Sequence, residues 1–254
     1  MSLLDRFRMD GRVVIITGAS SGLGVGFAQA LADVGADLVL AARRVERLAR
    51  TQELVQARGR RAIAVAADVA DPDDCEKVVA RAIEEFGRVN ALVNNAGIGT
   101  AVPALQESPQ QFRSVIDINL NGSYWMAQAC ARVMGPGSSI VNMSSVLGFR
   151  GFGLPQAAYV SSKAAVIGLT RDLAQQWTGR KGIRVNALAP GYFKSEMTDQ
   201  MDSEFVAEHV VRRTLVGRLG EPDEINAALL FLLSDASGYI SGITLPLDGG
   251  FLAN

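Results

Sequence analysis

Tyr159 and Lys163 stand four residues apart in Tyr159-Val160-Ser161-Ser162-Lys163, a stretch with helical spacing, so they share one helix face. A phenol with its ordinary pKa of about 10 is a poor proton carrier at neutral pH. An ammonium one turn away stabilises the phenolate and brings proton exchange within working range. Upstream, Ile140-Val141-Asn142-Met143 reads as a strand that delivers Ser144 and Ser145 to its carboxyl end. A serine hydroxyl there can hydrogen-bond a reacting oxygen, and spacing alone barely separates the two. A tyrosine and a lysine at this spacing also occur on ordinary helix faces, so the pair gains meaning only from its company.

A second chemical segment lies near the amino end. Thr17-Gly18-Ala19-Ser20-Ser21-Gly22-Leu23-Gly24 follows an apolar strand and opens a helix. Glycines there allow a tight turn and let the backbone approach a pyrophosphate, whose charge meets the helix N-terminus. Ser20 and Ser21 add hydroxyl donors. The second strand ends Leu40-Ala41-Ala42-Arg43-Arg44, where an acid would bond the ribose 2′-hydroxyl of NAD. No acid is present, and Asp37 lies at the other end of the same strand. Arg43 is placed to pair with a 2′-phosphate in bidentate fashion. The expected cofactor is therefore NADP(H), with NAD(H) the lesser partner. Gly26, inside the following helix, weakens it by about 1 kcal/mol relative to alanine; close helix–sheet packing would account for it.

These segments need a scaffold that gathers strand ends. Val13–Thr17, Leu38–Ala42, Ile63–Ala66, Ala91–Asn94, Ser139–Met143 and Arg184–Ala189 read as strands, and Ile243–Pro246 as a last one at an edge. Most are apolar throughout, as in parallel strands covered on both faces. Leu23–Val34, Val45–Arg58, Pro72–Phe86 and Gln156–Thr178 carry helical spacing, with Asp71 a candidate cap before Pro72. Such alternation predicts a single-domain, Rossmann-type α/β fold: a doubly wound parallel sheet of about seven strands with helices on both faces.

The bulk numbers agree. The chain has 254 residues, 48% hydrophobic and 20% charged, and a net charge of -1. It can bury a large core, and it lacks the basic stripe that nucleic acid or an anionic membrane would require. Cys75 and Cys130 have no metal-type spacing and read as reduced, buried thiols of a cytoplasmic protein. Residues 1–11 lack a signal-peptide core, and no apolar run reaches the ~18 residues of a membrane span. His209, the only histidine, has no second ligand nearby in sequence, so no metal site is expected.

Thr17-Gly18-x-x-x-Gly22-x-Gly24, Asn94-Asn95-Ala96-Gly97, Asn119, Ser145, Tyr159-x-x-x-Lys163 and Pro190-Gly191 stand in an order that resembles the short-chain dehydrogenase/reductases. The resemblance runs from about Arg12 to Gly250, and the ordered set is far more specific than any member. It implies that Tyr159 is the catalytic acid/base, that Ser145 polarises the substrate oxygen, and that Lys163 lowers the phenol pKa and bonds the nicotinamide ribose. Asn119 would interrupt its helix and hold a water relaying protons to Lys163. Asp68 and Val69 would contact adenine, while Asn95, Ala96 and Gly97 wall the cofactor pocket. Pro190, Gly191 and Ser195 match the segment that bonds the nicotinamide carboxamide. The sequence departs from the family pattern twice. Ser195 stands where threonine is usual, and one extra residue between Ser145 and Tyr159 should make the loop Gly148–Pro155 bulge.

Residues 192–216 resemble the family's substrate lid, and Phe193, Met197, Met201 and Phe205 give it an apolar lining. The substrate expected is a small-molecule carbonyl or secondary alcohol. The main reading is a 3-oxoacyl thioester or similar ketone; the alternative is a polyol or sugar acid, to whose dehydrogenases Pro190–Thr198 is similar. Carrier-protein reductases often place basic residues before the fifth strand, whereas Met134-Gly135-Pro136-Gly137-Ser138 carries none; Arg180 and Lys181 keep part of such a surface. A non-catalytic nucleotide-binding scaffold is the reading from another class, and such proteins usually lose the tyrosine or the lysine. The resemblance also implies a homotetramer, built on helices around Pro103–Val133 and Gln156–Thr178.

Overall fold

The computed structural model describes residues 2–194, 204 and 206–254. Seven strands form one parallel sheet in the order β3-β2-β1-β4-β5-β6-β7. They are β1 (Val13–Thr17), β2 (Asp37–Ala42), β3 (Ala62–Ala66), β4 (Ala91–Asn94), β5 (Ser139–Met143), β6 (Arg184–Pro190) and β7 (Thr244–Leu247). β1, β4 and β5 are buried along their whole length, which is why their sequences do not alternate. β7 pairs with β6 at one edge, shifted one residue from the expected Ile243–Pro246.

Helices cover both faces. α1 (Leu23–Asp33), α2 (Val45–Gln56) and a late helix, α7 (Pro222–Leu233), pack on one side around Phe27, Leu31, Leu48 and Leu229. α3 (Pro72–Phe86), α5 (Gly122–Val133) and α6 (Ala157–Lys181) cover the other around Val78, Met126 and Leu173. β1 serves both layers, sending Val14 and Ile16 to the first and Val13 and Ile15 to the second. Asp71 caps α3 as expected, its side chain accepting from the Asp73 N–H at 2.9 Å. α6 runs three residues past the expected end and stops at Gly182, whose φ of 69° supplies the left-handed cap.

Gly26 faces another helix and not the sheet: a Cβ there would stand 3.4 Å from Asn226 Oδ1 of α7, an ordinary contact that does not require glycine. The loop after Ser145 opens with a 3-10 turn, Val146–Gly148, and passes Gly153 at φ 67°. Cys75 and Cys130 are buried free thiols, and burial pushes the Cys75 thiol up to about 12. Among the described residues, no helix is long and apolar enough to cross a membrane.

The winding reverses beside β1: one half proceeds outward through β2 and β3, the other through β4 to β7. At such a switch point the loops leaving two neighbouring strands part, and a crevice opens outside their carboxyl ends.

Candidate active site

The crevice is a cleft of about 360 Å³. Gly18, Ser20, Ser21, Gly22 and Leu23 form one wall, and Asn95, Ala96 and Gly97 another. Arg43, Asp68 and Val69 also line it, and Arg43 is exposed. The glycines are required by contact as well as by torsion. A Cβ on Gly24 would lie 2.4 Å from the Gly18 carbonyl oxygen, and one on Gly18 would lie 2.9 Å from the Ala96 Cα. Gly18 and Gly22 have φ of 66° and 56°. No side chain caps α1, so its first N–H groups remain available to an anion. A narrow glycine cradle, an uncapped helix start and a guanidinium at the end of β2 fit a phosphorylated dinucleotide.

Thr17 and Asn95 hold this cradle together. The Thr17 hydroxyl accepts from the Asn95 and Ala96 N–H groups, both at 3.0 Å. The Asn95 amide donates to the carbonyls of Thr17 and Gly18 at 3.0 and 3.2 Å. Sequence reasoning gave Thr17 no role of its own, although a hydroxyl ending an apolar strand just before the glycines was the available sign. Deeper in the sheet, Asn94 donates to Asn142 at 2.9 Å and Asn142 to Thr170 at 3.0 Å, tying β4, β5 and α6 in one buried chain. Asparagines at register partners of two apolar strands were its only trace in sequence.

Beyond the cradle, the ends of β5 and the first turns of α6 bring the acid–base residues together. The two serines separate clearly. Ser144 Oγ donates to the Lys163 carbonyl at 2.9 Å and is spent on the helix backbone. Ser145 Oγ accepts from the Leu147 N–H at 3.1 Å and shares a hydrogen bond with the Tyr159 phenol. Burial pushes that phenol above its ordinary value, and the bond with Ser145 pulls it partly back. A nearby ammonium alone would give the opposite direction. Lys163 Nζ lies 5.6 Å from the centre of the Tyr159 ring, yet its hydrogen bond goes to the Met143 carbonyl at 2.8 Å. Lys163 is 5% exposed, and burial brings its ammonium down to about 8.

Asn119 sits in a π-turn, Asp117–Asn121, between α4 (Pro109–Ile116) and α5. The helix is thus interrupted where the family pattern implies. Its amide accepts from the Ile98 N–H at 2.8 Å and donates to the Ile98 carbonyl at 2.9 Å and to Ser162 Oγ at 3.0 Å. It meets Lys163 across Gly97, where an added Cβ would stand 3.2 Å from Asn119 Oδ1 and 3.5 Å from Lys163 Nζ. The Asn121 amide donates back to Asp117 Oδ1 at 2.9 Å. Gly191 follows Pro190 at the end of β6 and is pinned against the segment after β7 through its N–H to the Leu247 carbonyl at 2.9 Å. Ser195, Met197, Met201 and Phe205 lie outside the described residues. Phe193 is buried beneath Gly220, and His209 stands in a π-turn, Val206–Val210.

A family model described as enoyl-(acyl carrier protein) reductase matches residues 18–252. The chain belongs to the short-chain dehydrogenase/reductase family. This short-chain dehydrogenase/reductase is 38% identical to the 2-dehydro-3-deoxy-D-gluconate 5-dehydrogenase of Dickeya dadantii, over 99% of both chains. It is 42% identical to the L-tagatose-forming galactitol 2-dehydrogenase of Cereibacter sphaeroides, over 96% of both. Among solved structures it matches a gluconate 5-dehydrogenase from Burkholderia cenocepacia in complex with NADP and tartrate, with a TM-score of 0.92, 35% identity and full coverage of both chains. As a member of the family it is an oxidoreductase acting on CH–OH and C=O groups.

Proposed function

We propose that this protein is an NADP(H)-dependent dehydrogenase of sugar acids or polyols, working as one dinucleotide-binding and catalytic domain over residues 1–254 with a lid at about 192–216. The observation that carries the chemistry is the meeting of the Ser145 and Tyr159 hydroxyls beside a dinucleotide-shaped cleft. NADP(H), when bound, supplies or accepts the hydride. Gly18, Ser20, Ser21, Gly22, Leu23 and Gly24 would hold its pyrophosphate side, Arg43 its 2′-phosphate, and Asp68 and Val69 its adenine. Asn95, Ala96 and Gly97 would flank it, and Pro190, Gly191 and Ser195 would receive its carboxamide end.

The residues of the chain divide the proton work. Ser145 holds the substrate oxygen as a preformed donor, which stabilises negative charge as it develops there. Tyr159 gives its phenolic proton to that oxygen during reduction and takes it back during oxidation. Burial keeps the phenol protonated at neutral pH, so the resting residue is ready as an acid. Lys163 faces the carbonyl of Met143 and lies within one turn of Tyr159, where its charge favours the phenolate once the proton has left. Asn119 fixes the loop at Ile98 against α6 and so keeps Lys163 and Tyr159 in place.

The sugar-acid reading draws on the relatives, whose names specify gluconate derivatives and galactitol. A 3-oxoacyl thioester is the second reading, favoured by the acyl-carrier description of the matching family model. The substrate is a small molecule, and the setting we assign is cytoplasmic. The test is a panel of D-gluconate, 5-ketogluconate, galactitol and acetoacetyl-CoA, followed by nicotinamide absorbance with NADP(H) and NAD(H) in parallel. Turnover should favour the sugar compounds with NADP(H). Tyr159→Phe should lower kcat by about two to four orders of magnitude while cofactor binding, read by fluorescence, is retained. Preference for acetoacetyl-CoA would move the assignment to the thioester class, and near-normal turnover by Tyr159→Phe would remove the mechanism.

A further inference from the structure

Tyr192 follows Gly191 at the exit of β6, and its hydroxyl is buried without a hydrogen-bond partner among the described residues. Two rings fix it there. Phe152, from the lengthened loop before α6, has its centroid 6.0 Å away, and Phe251 lies 5.9 Å away. These two meet edge to face at 4.8 Å, closing a three-ring cup. Val146, Leu147 and Tyr159 pack on the same cluster, so the cup and the acid–base residues share a wall. Burial first, and then the neighbouring Tyr159, push the Tyr192 phenol up to about 12. Tyr192 therefore keeps its proton and can donate a hydrogen bond throughout the working pH range.

A phenylalanine would fill the same cup with no polar atom to desolvate. An unpaired hydroxyl in such a place weakens the folded state unless a ligand brings its acceptor. Tyr192 and the proton carrier Tyr159 pack on one cluster, which assigns that acceptor to the part of the substrate close to the reacting carbon. We infer that Tyr192 is a specificity-determining residue, whose hydroxyl donates a hydrogen bond to an oxygen substituent beside the reacting carbon. The inference rests on the proposed reading as a dehydrogenase of polyhydroxy compounds, and it states how such substrates are told from plain ketones. A substrate with only hydrogen at that position leaves the phenol unpaired in the complex too, which makes the discrimination steep.

A matched pair of ketones separates this inference from the sugar-acid reading. Wild type and Tyr192→Phe are compared on 2-hydroxycyclohexanone and cyclohexanone with NADPH. Wild type should favour the hydroxyketone in kcat/KM by roughly ten- to hundredfold, the effect of leaving one neutral hydroxyl unpaired. Tyr192→Phe should lose that preference mainly through a raised KM, with cyclohexanone kinetics unchanged. The unliganded variant should melt no lower than wild type, since the Tyr192 hydroxyl has no hydrogen-bond partner among the described residues. Equal use of the two ketones by wild type, turnover of neither, an equal loss on both in the variant, or a lower melting temperature overturns the inference. Gluconate turnover without a hydroxyketone preference sinks this inference alone; the preference without gluconate turnover sinks the sugar-acid reading alone.

Discussion

Desolvation moves both titrating groups at the centre of the site, and in opposite directions. It holds the Tyr159 proton on and loosens the Lys163 proton, bringing the ammonium down to about 8 from its ordinary 10.5. For Lys163 this is a statement about stability. Below about pH 8 the folded and unfolded chains both carry the proton, and the penalty of burying the ammonium is present in full. As pH rises from about 8 toward 10.5, the folded protein releases a proton that the unfolded chain still binds, so the folded state gains. Lys163→Met removes the titration. Its unfolding free energy relative to wild type should fall by on the order of 2 kcal/mol between about pH 7 and about pH 9.5, measured by urea denaturation. A difference that stays flat over that range would mean that the ammonium is not held in a desolvating site.

At the scale of elements, two glycines one turn-half apart in α1 separate function from packing. A Cβ on Gly24 meets backbone, the Gly18 carbonyl at 2.4 Å, which cannot yield without opening the turn. A Cβ on Gly26 meets the end of the Asn226 side chain at 3.4 Å, an ordinary contact. Gly24→Ala should therefore lose about 1–3 kcal/mol of stability together with cofactor affinity. Gly26→Ala should gain up to about 1 kcal/mol from helix propensity and bind cofactor as wild type does. Thermal melts and fluorescence titrations of the two variants check the pair, and equal behaviour would refute it. The same contrast shows what was legible beforehand. Strand runs such as Val13–Thr17 and Ser139–Met143 were readable because burial on both faces leaves an unmistakable apolar block. The Gly18–Gly24 turn and the Tyr159–Lys163 pair were readable because backbone torsion and helical spacing are local properties. The choice between Ser144 and Ser145 was not local, since it turns on whether an oxygen meets the Lys163 carbonyl or the Tyr159 phenol. The neighbour of Gly26, and the lack of a partner for the Tyr192 hydroxyl among the described residues, likewise depend on residues far along the chain.

At the scale of the whole molecule, one face of the long helix α6 is exposed among the described residues. Of the alanines at the start of α6, Ala158 is fully buried in the core, whereas Ala157 and Ala164 are exposed. Ser161 and Gly168 are exposed as well, and with Ala157 and Ala164 they recur every three or four residues along one face. α4 packs against α6 and carries Phe112, 38% exposed. Small side chains at that spacing let a second helix approach closely, and an apolar ring at the border gains by being covered. In a two-fold interface each residue near the axis meets its own copy, so one substitution introduces two like charges at once. Light scattering should give wild type a mass four times 27.0 kDa, the homotetramer expected of this family. Ala164→Glu should reduce it to two or one times 27.0 kDa without loss of helix, because the Ala164 side chain is exposed on the protomer. A wild-type species of 27.0 kDa alone, or an Ala164→Glu protein of undiminished mass, would show that α6 faces solvent in the working enzyme.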